Sequence, residues 1–203
     1  DFGARQINTV EKVERELSTY VLHTGEISKI LKALSSKRQP DIEDLKYLNK
    51  WKDELNFETE SIVFAASKIK KGSFEKLDEF LMELYSMKSF SKEEIADYMN
   101  KKQRVYELAI RINRALSVYV DVIDTVVDTY TKKWLSYGFS EDALIYIAGV
   151  CFKNGNNKLG LMDELVEKLY QRGCVDLTSV SDYFENEKKS DEFIKKVLIT
   201  AGI

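Results

Sequence analysis

The sequence predicts an all-α protein, because its apolar residues recur at helical spacing and never alternate as they do in strands. Between residues 7 and 21 they fall three or four positions apart, on one side of a helix. No segment keeps the period of two that a half-buried strand requires. The chain of 203 residues contains a single proline, so little in it interrupts helices.

One helical pattern occurs twice. Trp51 in the first occurrence aligns with Trp134, which lies 83 residues later. Further pairs keep this order at an offset of 82 and, after an insertion at 154–157, of 85. They are Phe57 with Phe139, Ala66 with Ala148, Lys71 with Lys153, Leu84-Tyr85 with Leu169-Tyr170, and Asp97-Tyr98 with Asp182-Tyr183. Such ordered matches indicate a duplicated helical module. We expect the first module at 1–99, and a linker helix with the second module at 100–203.

Several of the expected helices begin near acidic, hydroxyl or proline residues, which favour helix starts. Pro40 fits a first-turn position, followed by the carboxylates of Asp41, Glu43 and Asp44. Ser91 and Glu94 form a capping box. The predicted helices span about 7–21, 27–34, 40–51, 58–71, 73–87, 91–99, 140–153, 158–171 and 177–185, with a terminal helix through residue 198.

Residues 101–137 contain neither proline nor glycine and carry a continuous apolar stripe. They predict one long linker helix, or two nearly coaxial ones, of about 50 Å at 1.5 Å per residue. The segment 116–120 (LSVYV) also echoes 17–21 (LSTYV). By that match the first copy holds about 16 extra residues before its tryptophan.

The module resembles the C-terminal domain of the DnaD/DnaB primosome proteins of low-GC Gram-positive bacteria and their phages. Trp134, the Gly-Phe-Ser at 138–140, Ala148 and the closing segment 173–178 carry the resemblance. It covers roughly residues 26–98 and 115–184. The family's Tyr/Ile/Trp motif, linked there to DNA binding, is altered: its positions hold Leu77, Leu81 and Tyr85 in the first copy, and Met162, Val166 and Tyr170 in the second.

The resemblance implies an adaptor that binds single-stranded or forked DNA. Its protein partners would be a replicative helicase, helicase loader or initiator protein, and homo-oligomers are expected. Family members usually carry a winged-helix domain. No winged-helix signal and no initiator methionine occur here, so the chain reads as a processed chain or a C-terminal portion.

Composition favours a cytoplasmic protein without membrane insertion, because no apolar run approaches the roughly 20 residues of a bilayer span and no signal peptide is visible. Cys151 and Cys174 are interpreted as small buried side chains rather than as partners in a disulfide. His23 is the single histidine, and no metal, phosphate-loop or dinucleotide motif occurs. We therefore expect no enzyme and no cofactor.

Basic residues supply the candidate DNA site, although the net charge is −3. Lys101, Arg104, Arg111 and Arg114 fall within an arc of about 140° on a helix, where they would track a phosphate backbone. The alternative is a solvated face or pairing with acidic neighbours. A second set surrounds two turns: Lys68, Lys70 and Lys71 in the first copy, and Lys153 and Lys158 in the second.

Tyr85, Tyr98, Tyr170 and Tyr183 could stack on unpaired bases, but their helical spacing from apolar residues favours packing in the core. Two functions follow. The first is a replication adaptor that binds DNA and assists helicase loading. The alternative is a protein–protein scaffold of the replication machinery without direct DNA binding, which the acidic composition and the altered motif favour.

Overall fold

The computed structural model describes residues 2–69 and 72–201, and this part of the chain is helical without any strand, which confirms the all-α prediction. π-helical turns follow α2 at Lys50–Glu54 and α6 at Val127–Thr131. The α-helices are α1 (Phe2–Ala33), α2 (Asp44–Asn49), α3 (Thr59–Ser67), α4 (Phe74–Ser86), α5 (Lys92–Leu116), α6 (Ile123–Val126), α7 (Lys132–Ser136), α8 (Glu141–Lys153), α9 (Leu159–Gln171) and α10 (Leu177–Ala201).

The chain divides into two compact units, residues 1–100 and 101–203. The first unit is built around Trp51, which is fully buried. Its core comes from one side of α1, α3 and α4, where apolar residues three or four positions apart form a stripe that is removed from water. The main members are Ile27, Ile30, Leu34, Leu48, Ile62, Ala66, Leu77, Leu81, Leu84 and Ile95.

The second unit is built in the same way around Trp134. Its core comprises Leu108, Ile112, Leu116, Leu144, Ile147, Ala148, Met162, Val166, Leu169 and Val180. A smaller cluster joins Ala109 to Val126 and Val127. Nearly every core position of this unit matches a core position of the first at an offset of 82, 83 or 85. Ile30 and Ile112, 82 residues apart, are both fully buried.

In each unit, one aspartate carboxylate accepts hydrogen bonds from the buried tryptophan and from the lysine that precedes it. The indole N–H of Trp51 donates to Asp78 Oδ1 at 2.9 Å, and Lys50 Nζ donates to the other carboxylate oxygen at 2.7 Å. The indole of Trp134 donates to Asp163 Oδ1 at 2.7 Å, and the lysine before it donates to Asp163 Oδ2 at 2.8 Å. A buried N–H without an acceptor costs about 1–3 kcal/mol, so this carboxylate keeps each indole inside its core.

Several helices end at a residue in the left-handed backbone region. These residues are Ser35, Asn56, Lys88, Ser117, Gly138, Gly155 and Gly173. At the end of α5 the Ser117 N–H donates to Arg114 O, and the next N–H, of Val118, donates to Asn113 O. This is the Schellman arrangement, which satisfies carbonyls that the helix itself leaves free. Glycine adopts this conformation without strain, whereas the other residue types pay for it.

This helix end contradicts one of the two forms predicted for the linker. α5 begins at Lys92 and ends at Leu116, so residues 101–137 do not form one continuous helix, whereas two nearly coaxial helices stay a prediction. The left-handed Ser117, with φ of 56°, ends α5, and residues 118–122 are not helical. No proline or glycine lies at the break, so the spacing of apolar residues alone did not predict it.

Three other element predictions are also wrong. The helices expected at 7–21 and 27–34 are one helix, α1. The helices expected at 177–185 and at the C-terminus are likewise one, α10. Pro40 precedes its helix rather than opening it. α2 begins at Asp44, whose carboxylate accepts hydrogen bonds from the Asp41 N–H and from Arg38, which fixes residues 38–44 as a turn.

When the ends of α1 and α5 are aligned, the first copy no longer requires the extra residues expected before its tryptophan. α1 and α5 end equivalently, with a buried leucine (Leu34, Leu116) followed by a left-handed serine (Ser35, Ser117). These serines are 82 residues apart, the offset already shared by Phe57 and Phe139. The similarity between 17–21 and 116–120 is therefore not a structural equivalence, since residues 17–21 lie within α1 and 116–120 at and beyond the end of α5.

Candidate nucleic-acid interface

The four basic residues predicted to share a helix face lie on α5, and all four side chains are exposed. With 100° of rotation per residue, Lys101, Arg104, Arg111 and Arg114 share an arc of about 140°. The apolar residues Leu108, Ile112 and Leu116 lie beside this arc, along the edge that includes Lys101, and are buried in the second unit's core. We call Lys101, Arg104 and Arg114 the basic face.

Arg111 is excluded from the basic face because acidic neighbours already pair with it. Its guanidinium lies 3.2 Å from Glu141 Oε2 and 3.8 Å from Asp142 Oδ1, at the start of α8. The pairing alternative considered from the sequence therefore holds for Arg111. Within the described residues, no ion pair involves Lys101, Arg104 or Arg114.

Between Lys101 and Arg114, one carboxylate lies inside the same arc. Glu107 is exposed, and its Oε1 accepts a hydrogen bond of 3.0 Å from the side-chain amide of Gln103. By helical rotation Glu107 falls between Arg111 and Arg114. It reduces the positive potential that the basic face presents to an anion.

The lysines at the two turns are less favourably placed for binding DNA than the basic face. Lys68 is exposed, and its Nζ lies 4.7 Å from the ring centroid of Phe64, in a cation–π contact. Lys70 and Lys71 lie outside the described residues. Lys153 and Lys158 are exposed on both sides of the loop at 154–157.

The loop that carries Lys158 is not on the side of the basic face. Leu159, the next residue, packs against the cluster formed by Ala109, Val126 and Val127. Helical rotation places Ala109 about 140° from Arg114 on α5, so Leu159 approaches the helix from another side.

The positions of the altered family motif divide into two groups. Leu77, Leu81, Met162 and Val166 are fully buried. Tyr85 and Tyr170 are exposed over 46% and 47% of their surface, which is more than the predicted core packing allows. Tyr170 stacks on Tyr137 with ring centroids 4.4 Å apart, and Tyr85 meets Phe90 edge-on at 5.9 Å. The other two tyrosines, Tyr98 and Tyr183, are half-buried and buried.

One polar cluster was not foreseen from the sequence. Glu26 on α1 accepts hydrogen bonds from Thr59 and Lys52, and His23 Nδ1 lies 2.6 Å from its Oε2. Burial raises the pKa of Glu26, but the hydrogen bonds of Thr59, His23 and Lys52 outweigh it and hold the pKa at about 2. The cluster fixes α1 against the start of α3. Its partners are 26 and 33 residues distant in sequence, so no local pattern signals it.

The remaining chemistry is sparse in the part of the chain that the structure describes. It contains no group of three or more side chains suited to binding a metal ion. Cys151 is buried and Cys174 is half-buried, both as free thiols, and burial raises the pKa of the Cys151 thiol. None of the described helices combines the length and apolar content that a membrane span requires.

No family model, curated protein or solved structure matches the chain.

Proposed function

We propose that this protein is a non-enzymatic adaptor of DNA replication that binds single-stranded or forked DNA and assists helicase loading. The observation that carries the proposal is the basic face of α5, whose three exposed cations have no ion pair within the described residues. The resemblance of the module to the DnaD/DnaB primosome proteins supplies the biological setting.

The basic face suits a phosphate backbone in both length and charge. Lys101 and Arg114 are 13 residues apart, about 20 Å along a helix, which is long enough to meet several phosphates. Contacts of this kind give affinity without sequence preference. The chain as a whole is acidic, with a net charge of −3, so DNA would engage this face rather than the whole surface.

The two units are proposed to be two copies of one module. The matched core positions and the repeated tryptophan–aspartate–lysine contacts support this. Two modules on one chain would raise the effective concentration of the second for a shared strand or partner once the first has bound.

The direct experiment measures fluorescence anisotropy of labelled single-stranded, duplex and forked DNA at several salt concentrations. The test variant changes Lys101, Arg104 and Arg114 to Gln. The control variant changes Lys132, Lys188 and Lys189, which are also exposed, to Gln. It therefore removes the same amount of positive charge from other parts of the chain. We expect the test variant to lose most of the affinity and the control to keep it. Equal binding by both variants would refute the role of the basic face.

A protein–protein scaffold is the second candidate, and specific observations favour it. Arg111 is committed to Glu141 and Asp142, and four of the six altered motif positions lie in the cores, unable to touch DNA. In this case the chain docks a replicative helicase, helicase loader or initiator protein without contacting DNA. Absence of DNA binding at low salt, together with capture of one of these proteins by the purified chain, would decide for the scaffold.

A further inference from the structure

A cavity in unit 1 lies between the last turns of α1 and the segment that follows this helix. Its volume is about 440 Å³, and it is open to solvent. We call it the α1 cavity. Most of its lining is polar or basic and comes from Ser28, Lys32, Ser35, Ser36, Lys37 and Arg38. None of the described residues that line it carries a carboxylate. The sequence from 27 to 40 likewise contains four basic residues and no acidic one.

Two lysines of the α1 cavity have no carboxylate partner. Among the described residues, neither Lys32 nor Lys37 forms an ion pair, and both side chains are exposed. Arg38 differs, because its guanidinium binds both carboxylate oxygens of Asp44, at 2.7 and 2.6 Å. The charge of Arg38 is therefore compensated, and the cavity retains the positive charges of the two lysines.

Further hydrogen-bond donors lie beside the two lysines. Within the part of the chain that the structure describes, the hydroxyls of Ser35 and Ser36 have no partner, and the backbone N–H groups at 37–39 have no acceptor. The last carbonyls of α1 are already engaged, since Lys32 O and Leu31 O accept from the N–H groups of Ser35 and Ser36. Ammonium and hydroxyl donors that share a cavity lined by no described carboxylate are suited to an anion.

The equivalent segment of unit 2 indicates that the module does not need these polar residues to fold. At the offset of 82, residues 36–38 (SKR) correspond to 118–120 (VYV), and both segments follow a left-handed serine. A cation near the helix end is common to both units, as Lys32 and Arg114, and complements the helix dipole. Lys37 has a tyrosine as its counterpart, so the dipole does not account for it.

We propose that the α1 cavity is a binding site for a phosphomonoester group, which pairs with Lys32 and Lys37 and accepts hydrogen bonds from Ser35 and Ser36. A phosphomonoester carries a charge of about −1.5 to −2 at pH 7, which the two lysines match. A phosphodiester within a strand carries a single negative charge and matches them less well. The group can belong to a small molecule or to the 5′ end of a nucleic-acid strand. The α1 cavity shares no residue with the basic face, so the inference stands independently of DNA binding by α5.

Backbone NMR of the full chain tests the site, with inorganic phosphate as the probe and chloride as the reference anion at constant ionic strength. Phosphate should shift the amide resonances at 35–39 in a saturable manner, with a Kd of about 1–20 mM. Lys32→Gln with Lys37→Gln should weaken this binding about tenfold. The control, Lys76→Gln with Lys88→Gln, removes two exposed lysines of unit 1 that do not line the cavity, and it should bind phosphate as the parent chain does.

A single strand with a 5′-phosphate, compared with the same strand ending in a hydroxyl, identifies the source of the group. Tighter binding of the phosphorylated strand that Lys32→Gln with Lys37→Gln abolishes would assign the site to strand ends. Equal binding of both strands, with phosphate still bound at 35–39, would assign it to a small molecule. Absence of saturable shifts with phosphate up to about 50 mM would overturn the proposal. So would a control variant that weakens phosphate binding as much as the test variant does.

Discussion

At the scale of single residues, Glu26 shows how one carboxylate ties distant parts of unit 1 together. It is the shared acceptor of Thr59 and Lys52 and contacts His23, and its side chain is only 26% exposed. A carboxylate with several donors is stabilised in its charged form, which is why its pKa falls from 4.5 to about 2.

The lowered pKa of Glu26 makes part of the stability dependent on pH. The unfolded chain takes up this proton near pH 4.5, whereas the folded chain resists until about pH 2. The contribution is therefore fully present above pH 4.5 and is lost as pH falls toward 2, and it amounts to about 2–3 kcal/mol. We expect Glu26→Gln to lower the free energy of unfolding at pH 6 by about this amount.

Urea unfolding at pH 6, 4.5, 3.5 and 2.5 checks this prediction. The difference between the parent chain and Glu26→Gln should be similar at pH 6 and 4.5 and should then shrink as the pH falls further. Glu43→Gln serves as control, because among the described residues the Glu43 carboxylate forms an ion pair with Lys46 on the exposed surface. A difference that stays constant across this pH range would show that the Glu26 charge does not contribute as its contacts indicate.

At the scale of helices, the sequence predicted where apolar stripes lie better than where helices end. α1 runs through residues 22–26, although His23, Thr24 and Gly25 resemble a break. The hydroxyl of Thr24 donates to the Tyr20 carbonyl four residues earlier, so the polar group is satisfied within the helix. α5 ends at Leu116 although neither proline nor glycine is near. A left-handed serine depends on tertiary packing of the following residues, which local spacing does not report.

Helix ends also supply a matched pair of predictions. Lys88 and Gly173 are 85 residues apart and end α4 and α9 in the same left-handed conformation, with φ of 54° and 73°. A side chain strains this conformation, and the space around the Cβ position at Gly173 is open. We expect Lys88→Gly to stabilise the protein by about 1 kcal/mol and Gly173→Lys to destabilise it by a similar amount.

Thermal unfolding followed by circular dichroism checks both changes, and Lys88→Ala is the control that removes the charge but keeps the strain. Lys88→Ala should leave the stability nearly unchanged. A gain from Lys88→Ala as large as that from Lys88→Gly would assign the effect to charge and contradict the backbone explanation.

At the scale of the whole molecule, the distribution of charge determines what could be foreseen of the candidate site. The sequence predicts a basic side of α5 beside the apolar stripe, and Lys101, Arg104 and Arg114 are exposed there. The loss of Arg111 to Glu141 does not follow, because the two are 30 residues apart and meet only through the packing of α8. The candidate site is thus smaller than the sequence indicated. In the arc between Lys101 and Arg114 it has three cations that form no ion pair with any described residue and one carboxylate, Glu107.

This count yields a quantitative prediction for DNA binding. Three cations on a single strand give a slope of about −2 for the logarithm of affinity against the logarithm of salt concentration. Glu107 opposes the phosphates from within the same arc, so Glu107→Gln should tighten binding about two- to fivefold at low salt, and less as salt is added. Glu185→Gln, which changes an exposed carboxylate on α10, should have little effect. If Glu185→Gln tightens binding as much as Glu107→Gln, net charge rather than the basic face governs the interaction.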